Sequence, residues 1–203
     1  MSKRWHDWLL LPERIALHEA SATAVIADVH LGYAQARRRL GDAIPLRRVR
    51  DELAPLALAA KSHRIEHLII AGDLFERGYD AEICAEFLDV LAEWRIKCIG
   101  VVPGNHDRGI DKFVSDLPVL ADPFELLGWR ITHGDGSITG ERIIQGHEHP
   151  ATRIGRRKSP CFLTLGTRLI LPAFSRDAAG VNVDSDERWR GWERHVIGNS
   201  EQQ

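Results

Sequence analysis

Five short polar motifs are spaced down the chain, and each follows an apolar run with the character of a β-strand. Asp28-Val29-His30 follows TAVIA, Gly72-Asp73 follows HLIIA, and Gly104-Asn105-His106-Asp107 follows IGVVP. His133-Gly134-Asp135 follows WRIT, and Gly146-His147-Glu148-His149 follows RIIQ. In an open α/β sheet, side chains from distant parts of the chain meet beyond the carboxyl ends of the strands. A chain that keeps its polar chemistry at five strand ends must therefore adopt a fold that gathers those ends at one edge. Gly72, Gly104, Gly134 and Gly146 allow the sharp turns and close backbone approach that such gathering requires. Asp28 and His30, like His147 and His149, are two residues apart, a spacing that in extended chain points both side chains to one side.

Periodicity supplies the frame. Short β-type runs alternate with helical stretches through the first half. Tyr33 to Leu40 reads as a helical or irregular basic stretch, and Pro45 opens a helix over LRRVRDELAPLALAAKSH, with Leu46, Val49, Leu53, Leu56 and Leu58 on its apolar positions. Pro55 inside it predicts a kink or two helices. A strand from Leu68 to Ala71, a helix from about Asp80 to Trp94 and a strand from Lys97 to Val102 form a β-α-β unit, which builds parallel sheet. Beyond about residue 120 the runs PFELLG, WRITHG, RIIQGH, PCFLTL, RLILPAF and ERHVIG are short and broken by Gly or Pro. They predict a mostly antiparallel meander. An α/β layering follows, with a mixed first sheet packed on a second sheet and helices outside. The 203 residues form one expected domain, 1–203, with a frayed tail after Gly198.

Composition excludes little. A formal charge of -2 with 28% charged residues neither demands nor forbids a nucleic-acid partner. Cys84, Cys98 and Cys161 are widely spaced in apolar surroundings, as small buried hydrophobes of a reducing compartment are. The opening MSKRWHDWLLLPER has an apolar run of only LLL closed by Pro12, unlike a signal peptide, and no stretch reaches membrane-spanning length. A cytoplasmic protein is expected.

The motifs supply carboxylate, imidazole and amide oxygen, and no thiolate. That set suits a two-metal hydrolytic centre, in which ions about 3.5–4 Å apart share a bridging carboxylate. Asp73, alone on its Gly-Asp turn, is the best bridge. Asp28, His30 and one of His147 and His149 would complete one ion's shell; Asn105, His133 and the other histidine would complete the second. The donor mixture favours Mn²⁺, Fe or Zn²⁺ over Ca²⁺. His106 is left over as a non-ligand that could protonate a leaving group or stabilise charge on phosphoryl oxygens. Asp107 is the candidate partner fixing its tautomer. Any one of these motifs alone is a common turn; five in order, each behind a strand, are not.

With those residues in view, the chain resembles the calcineurin-like metallophosphoesterase superfamily, whose ordered signature of Asp-x-His, Gly-Asp, Gly-Asn-His-Asp/Glu, His and Gly-His-x-His is present at 28–30, 72–73, 104–107, 133 and 146–149. The resemblance implies a four-layer αββα sandwich of two mixed sheets flanked by helices. It implies that Asp28, His30, Asp73 and His149 hold one metal, that Asp73, Asn105, His133 and His147 hold the other, and that His106 is catalytic. ADVHLGY, GDLFERG, GNHDRG, GHEHPA, KSPCFL and LILPAF further resemble the SbcD-like branch and, within it, the PdeM family of ligase-associated DNA-damage-response endonucleases. This implies a Mn²⁺-dependent nuclease or phosphodiesterase acting on DNA, linked to an ATP-dependent DNA ligase, a helicase and an exonuclease. Nucleases of the SbcD type commonly carry a second histidine where Asp135 stands. A relative that hydrolyses a lipid-A precursor shares three motifs but has a long helical insertion between the last two; here eleven residues separate Asp135 from His147. A small nucleotide substrate, or a scaffold role with a retained metal site, are the alternatives to DNA cleavage.

Arg37, Arg38, Arg39, Arg47, Arg48 and Arg50 form one basic cluster, and Arg153, Arg156, Arg157 and Lys158 a second; each either tracks a phosphate backbone or is paired surface charge. Arg77 follows a Gly-Asp turn and could touch phosphate or form a salt bridge. Tyr33 is a candidate for base stacking, whereas Phe75 and the tryptophan pairs Trp5/Trp8 and Trp189/Trp192 are better accounted for by packing.

Overall fold

The computed structural model describes residues 1–113, 117–136 and 138–198. The tail after Gly198 lies outside the described residues. A six-stranded sheet runs in chain order, β1 (Lys3–Trp5), β2 (Trp8–Leu11), β3 (Ile15–His18), β4 (Thr23–Ile26), β5 (His67–Ala71) and β6 (Lys97–Val102). It is antiparallel from β1 to β4 and parallel from β4 to β6. The crossovers carry α1 (Tyr33–Arg39), α2 (Val49–Glu52), α3 (Ala54–Ser62) and α4 (Ala81–Glu93).

Asp80 starts α4 by accepting hydrogen bonds from the backbone N–H groups of Glu82 and Ile83, both at 3.1 Å. Its buried residues Cys84, Phe87, Val90 and Leu91 recur at helical spacing and face the first sheet. The long helix expected after Pro45 is two helices: the chain breaks at Leu53, and Pro55 sits in the first turn of α3, where its missing N–H costs nothing. The strands β1 to β3 were not expected from the sequence. Leu9 and Leu11 pack toward the helices and Leu10 toward the second sheet, so every residue of WLLL is buried and no polar alternation marks the strand.

The second sheet contains β7 (Phe124–Leu126), β8 (Trp129–Thr132), β9 (Ile143–Gln145), β10 (Pro150–Ile154), β11 (Arg157–Leu165), β12 (Arg168–Ile170), β13 (Val181–Asn182) and β14 (Glu193–Val196). Its order is β13-β10-β11-β12-β9-β8-β7, with β14 also pairing β11. The expected meander is only partly antiparallel: β8-β9-β12 and β10-β13 are parallel. The reason is positional. His133 follows β8 and His147 follows β9, and antiparallel neighbours would put those two ends at opposite edges. The 133–142 connection has no helix among the described residues, which is why it reads as a hairpin.

Two mixed sheets therefore stack, with the apolar faces of β2, β4 and β5 meeting Trp129, Ile131, Ile144, Phe162 and Leu169 between them. Helices cover the first sheet. Over the second, the outer layer among the described residues is thin, a 3-10 turn at Glu187–Trp189 whose Trp189 packs on Cys161, Leu163 and Ile170. Trp5 and Trp8 pack on Trp129 with ring centres 5.0 and 6.1 Å away, so these tryptophans are spent on the core. Cys84 and Cys161 are buried, and burial pushes the Cys98 and Cys161 thiols up to about 12, as inert cysteines require.

Glu52 at the end of α2 titrates within the accessible range. Burial pushes its carboxyl up to about 7 from an ordinary 4.5, against the opposing charge of Arg47. Because the folded value is the higher one, this group favours the fold most below 4.5 and the benefit is lost as pH climbs to about 7. Glu52→Gln removes that loss. Urea melts of the two proteins should diverge in favour of the variant as pH rises through this window, and parallel pH profiles would contradict the assignment.

Candidate metal centre

Both sheets direct carboxyl strand ends to one shared edge. Asp28 follows β4, Asp73 follows β5, Asn105 and His106 follow β6, His133 follows β8, and His147 follows β9. Backbone hydrogen bonds stitch these loops together. Asp28 donates its N–H to the Gly72 carbonyl at 2.9 Å, and Val29 and His30 donate to the Asp73 carbonyl at 2.9 Å each. Ser175, beyond β12, donates to the Asp28 carbonyl at 3.0 Å. Side chains extend the stitching: His147 N–H donates to the Asp28 carboxylate at 3.0 and 3.2 Å, and His106 N–H donates to Asp73 Oδ1 at 2.8 Å.

The backbone carries strain here. Asp28, His30, Asp73, His147 and His149 sit at φ of 55°, 51°, 52°, 69° and 44°, the left-handed region that non-glycine residues rarely occupy. This corrects the reading that each Asp-x-His or His-x-His pair lies on extended chain. The paired side chains converge because both residues of each pair turn left-handed. Two glycines are fixed by contact. A Cβ on Gly72 would lie 2.0 Å from His133 Nδ1, and one on Gly104 would lie 2.2 Å from Asp73 Oδ1.

The seven expected ligands come together. Asp28, Asp73 and His133 are 0%, 2% and 0% exposed. His149 Nε2 is 3.1 Å from Asp28 Oδ1, and His133 lies 3.8 Å from Asp28 Oδ1 through Nδ1 and 3.5 Å from Asp73 Oδ2 through Nε2. Asn105 Oδ1 and His147 Nδ1 are 3.1 and 3.0 Å from that same His133 Nε2. The His30 ring centre is 5.5 Å from that of His149. Three sets of donor atoms fall within 4.8 Å of one another: Asp28-His30-His149, Asp28-Asp73-His133 and His30-Glu76-His106.

These atoms fit divalent ions on chemical grounds. One nitrogen, His133 Nε2, faces an amide oxygen, an imidazole nitrogen and a carboxylate oxygen at once, and a single N–H cannot serve three acceptors. A cation toward which all four lone pairs turn resolves the conflict, and ligand atoms about 2.1 Å from one ion lie roughly 3 Å apart, the spacing observed. Two buried carboxylates likewise need positive charge nearby. Burial, opposed by Asp28 and Asp73, pushes the His30 imidazole down to about 4, leaving it neutral with a lone pair at neutral pH. For His149 burial is outweighed by the hydrogen bond and charge of Asp28, and its pKa rises above the ordinary value of 6.5.

His106 stands beside this cluster, its ring centre 4.9 Å from that of His30. Its Nδ1 lies 2.8 Å from the Glu76 carbonyl oxygen, which can only accept, so Nδ1 carries the hydrogen and Nε2 the lone pair. The expectation that Asp107 sets this tautomer is therefore corrected. The Asp107 carboxylate instead accepts the N–H groups of Phe75 and Gly104, at 3.0 Å each, and clamps two of the loops. Glu76 is a residue the motif reading missed. Its carboxylate is 3.1 Å from His30 Nδ1 and its carbonyl orients His106. Only its adjacency to Gly72-Asp73 in GDLFERG hinted at it. Asp135 is exposed, as is Arg77; Phe75 is 1% exposed and belongs to the core, and Tyr33 is half-buried at the start of α1. In the first basic cluster Arg37, Arg47, Arg48 and Arg50 are ion-paired with Asp42, Asp177, Asp51 and Glu93. Arg38 and Arg39 are exposed on α1.

A hard-donor cluster at the common edge of two stacked mixed sheets defines a metal-dependent phosphoesterase. A model of the family described as "Calcineurin-like phosphoesterase" matches residues 22–137, more than half of the chain, and the chain belongs to that family. The match takes in the first four motifs; tertiary structure brings the fifth, with His147 and His149, to the same place. A search of curated proteins finds no match. Among solved structures the chain is similar to the "Crystal structure of Pseudomonas putida nuclease MPE", with a TM-score of 0.75 and 22% identity over 98% of this chain and 96% of that one. At that identity the likeness is one of fold.

A protonated His149 competes with a cation for its lone pair. Affinity for Mn²⁺ should rise with pH through and above 6.5, with proton release on binding. Calorimetry in buffers of different ionisation enthalpy measures both quantities, and pH-independent affinity without proton release would contradict this site.

Proposed function

We propose that the chain is a dinuclear metal-dependent phosphodiesterase that cleaves DNA, with Mn²⁺ as the working ion, in DNA repair. The observation that carries the reading is the convergence on His133 Nε2, where lone pairs from three other motif residues face one nitrogen within 3.5 Å. Asp28, His30, Asp73 and His149 would hold one ion; Asp73, Asn105, His133 and His147 would hold the other, with Asp73 shared. When bound, such a pair supplies an acidified water as nucleophile and neutralises charge on the phosphoryl oxygens. Imidazole, carboxylate and amide donors without thiolate favour Mn²⁺, with Fe or Zn²⁺ as the other fitting metals.

The protein's own part is positioning and proton handling. The left-handed turns at Asp28, His30, Asp73, His147 and His149 hold the ligands convergent before any substrate arrives. His106, with its Nδ1 hydrogen committed to the Glu76 carbonyl, presents Nε2 to substrate, where in its protonated form it would give a proton to the departing oxygen. Two observations support a polymeric substrate. One solved structure with a similar fold is that of a nuclease, and the 133–142 connection carries no helix among the described residues to roof the cleft. Arg38 and Arg39, exposed on α1 without ion pairs among the described residues, are free to meet phosphates. The repair role, and association with an ATP-dependent DNA ligase, a helicase and an exonuclease, rest on the resemblance to the SbcD-like branch.

His106→Ala should retain Mn²⁺ binding and lose turnover of bis-p-nitrophenyl phosphate by about 10²–10⁴-fold, the range for general acid–base groups. Undiminished turnover would remove His106 from the mechanism. For substrate, single-stranded, double-stranded and nicked DNA should be compared with cyclic nucleotides in Mn²⁺. Cleavage confined to the small molecules would replace DNA by a nucleotide substrate, and no hydrolysis of any of them would leave only a scaffold with a metal site.

A further inference from the structure

Beside His149 a cavity of about 220 Å³ opens between the start of β10 and the segment 173–180. Three cations line it, Arg14, Lys158 and Arg176, and no carboxylate does. Of the neighbouring cations, Arg47 pairs with Asp177, and Arg188 with Asp186 and Glu148. Arg14, Lys158 and Arg176 have no such partner among the described residues; Lys158 and Arg176 are exposed, and Arg14 and Lys158 contact carbonyls. Arg14 Nη1 donates to the Ala173 and Ser175 carbonyls at 3.0 and 2.6 Å, and Lys158 Nζ donates to the Gly180 carbonyl at 3.2 Å.

This arrangement is held in place. Arg14 occupies a left-handed turn, φ 66°, between β2 and β3, a strained conformation that aims its half-buried side chain under the 173–175 backbone. Burial and the charge of Arg176 both push the Arg14 pKa below its ordinary value, so the two guanidinium groups stand near enough to repel. The wall is closely packed: a Cβ on Gly180 would lie 2.7 Å from the Ala151 Cβ. Val181 N–H donates to the His149 carbonyl at 2.8 Å, which ties the rim of the cavity to the ligand motif itself. Three like charges in one concavity without a counter-ion oppose one another, and an anion relieves that opposition. At about 220 Å³ the space is below the roughly 300–1,000 Å³ of a drug-sized ligand site, and fits a phosphate with part of its sugar.

We infer that this cavity is a second phosphate subsite, which takes the phosphate next along the strand from the one cleaved beside His149. The inference rests on the phosphodiesterase reading and deepens it, because it makes the substrate a strand with at least two phosphates. Lys158 and Arg176 are the residues that confer this preference. Arg14 supports them and also braces the chain behind Asp28, through Ser175.

The test uses Lys158→Gln combined with Arg176→Gln in the full chain, leaving Arg14 intact. The probes are thymidylyl-thymidine without a terminal phosphate, with one at the 5′ end, and with one at the 3′ end, their binding measured by calorimetry in EDTA. The unsubstituted protein should bind one phosphorylated form about tenfold tighter than the plain dinucleotide, as one charge-assisted hydrogen bond gives. The double variant should bind all three alike, while its turnover of bis-p-nitrophenyl phosphate in Mn²⁺ is unchanged. Arg176→Lys alone, keeping the charge, should retain most of the preference. Equal binding of the three probes by the unsubstituted protein, or a preference that survives in the double variant, overturns the subsite. So does binding of inorganic phosphate without any preference among the dinucleotides, which would mark a pocket for the free ion. If the unsubstituted protein fails to hydrolyse bis-p-nitrophenyl phosphate, the phosphodiesterase reading falls, and the binding measurements still decide the cavity.

Discussion

Two buried carboxylates, Asp28 and Asp73, organise this protein. Each is removed from water, and each accepts a backbone N–H from a different loop, Asp28 from His147 and Asp73 from His106. Asp28 thereby joins the first sheet to the second, and Asp73 joins β5 to the loop after β6. Buried negative charge is costly unless it is hydrogen-bonded and matched by positive charge. The backbone N–H groups meet the first need. A centre of divalent ions would meet the second, which is why the imidazole and amide donors face inward around these same two side chains.

Other features of the fold follow from bringing the loops this close. Five candidate ligands accept left-handed backbone, and Gly72 and Gly104 leave no room for a side chain because His133 and Asp73 already occupy it. The parallel pairing of β8 with β9 has the same origin, since both strands must end at the edge where Asp28 and Asp73 lie. Asp107 serves this assembly and not His106: by holding Phe75 and Gly104 it keeps the second and third loops in register. The three cations around the neighbouring cavity, which have no ion pair among the described residues, extend the same electrostatic logic outward, from a cluster that gathers anionic and imidazole donors to one that gathers positive charge.

Much of this was legible from local pattern. The β-α-β unit, the division of the helical stretch near Pro55 and the extent of α4 were all readable because apolar periodicity and the effect of proline act over a few residues. The strands β1 to β3 were not, since a strand buried on both faces shows no alternation and WLLL then resembles any short apolar run. The parallel pairing of β8 with β9 was hidden because the 133–142 connection carries no helix among the described residues. The spacing argument for Asp28 and His30 reached a correct juxtaposition through a wrong backbone, because side chains two apart also converge when both residues turn left-handed. Glu76 and Arg14 escaped notice for a related reason: one acts through its carbonyl and the other through a turn far away in the chain.

The sequence by itself determined the chemical inventory, namely which donors exist, that no thiol is among them, and that each sits behind a strand. Those properties reside in single residues and short runs. Tertiary structure decided which donors share a partner, that His106 is oriented by the Glu76 carbonyl, and that Arg14, Lys158 and Arg176 surround one cavity beside His149. Such facts depend on contacts between segments distant in the chain, 30 residues apart for His106 on Glu76 and 161 for Arg14 on Ser175. No local preference encodes a contact of that range; it arises only when two sheets stack and bring their strand ends to one edge.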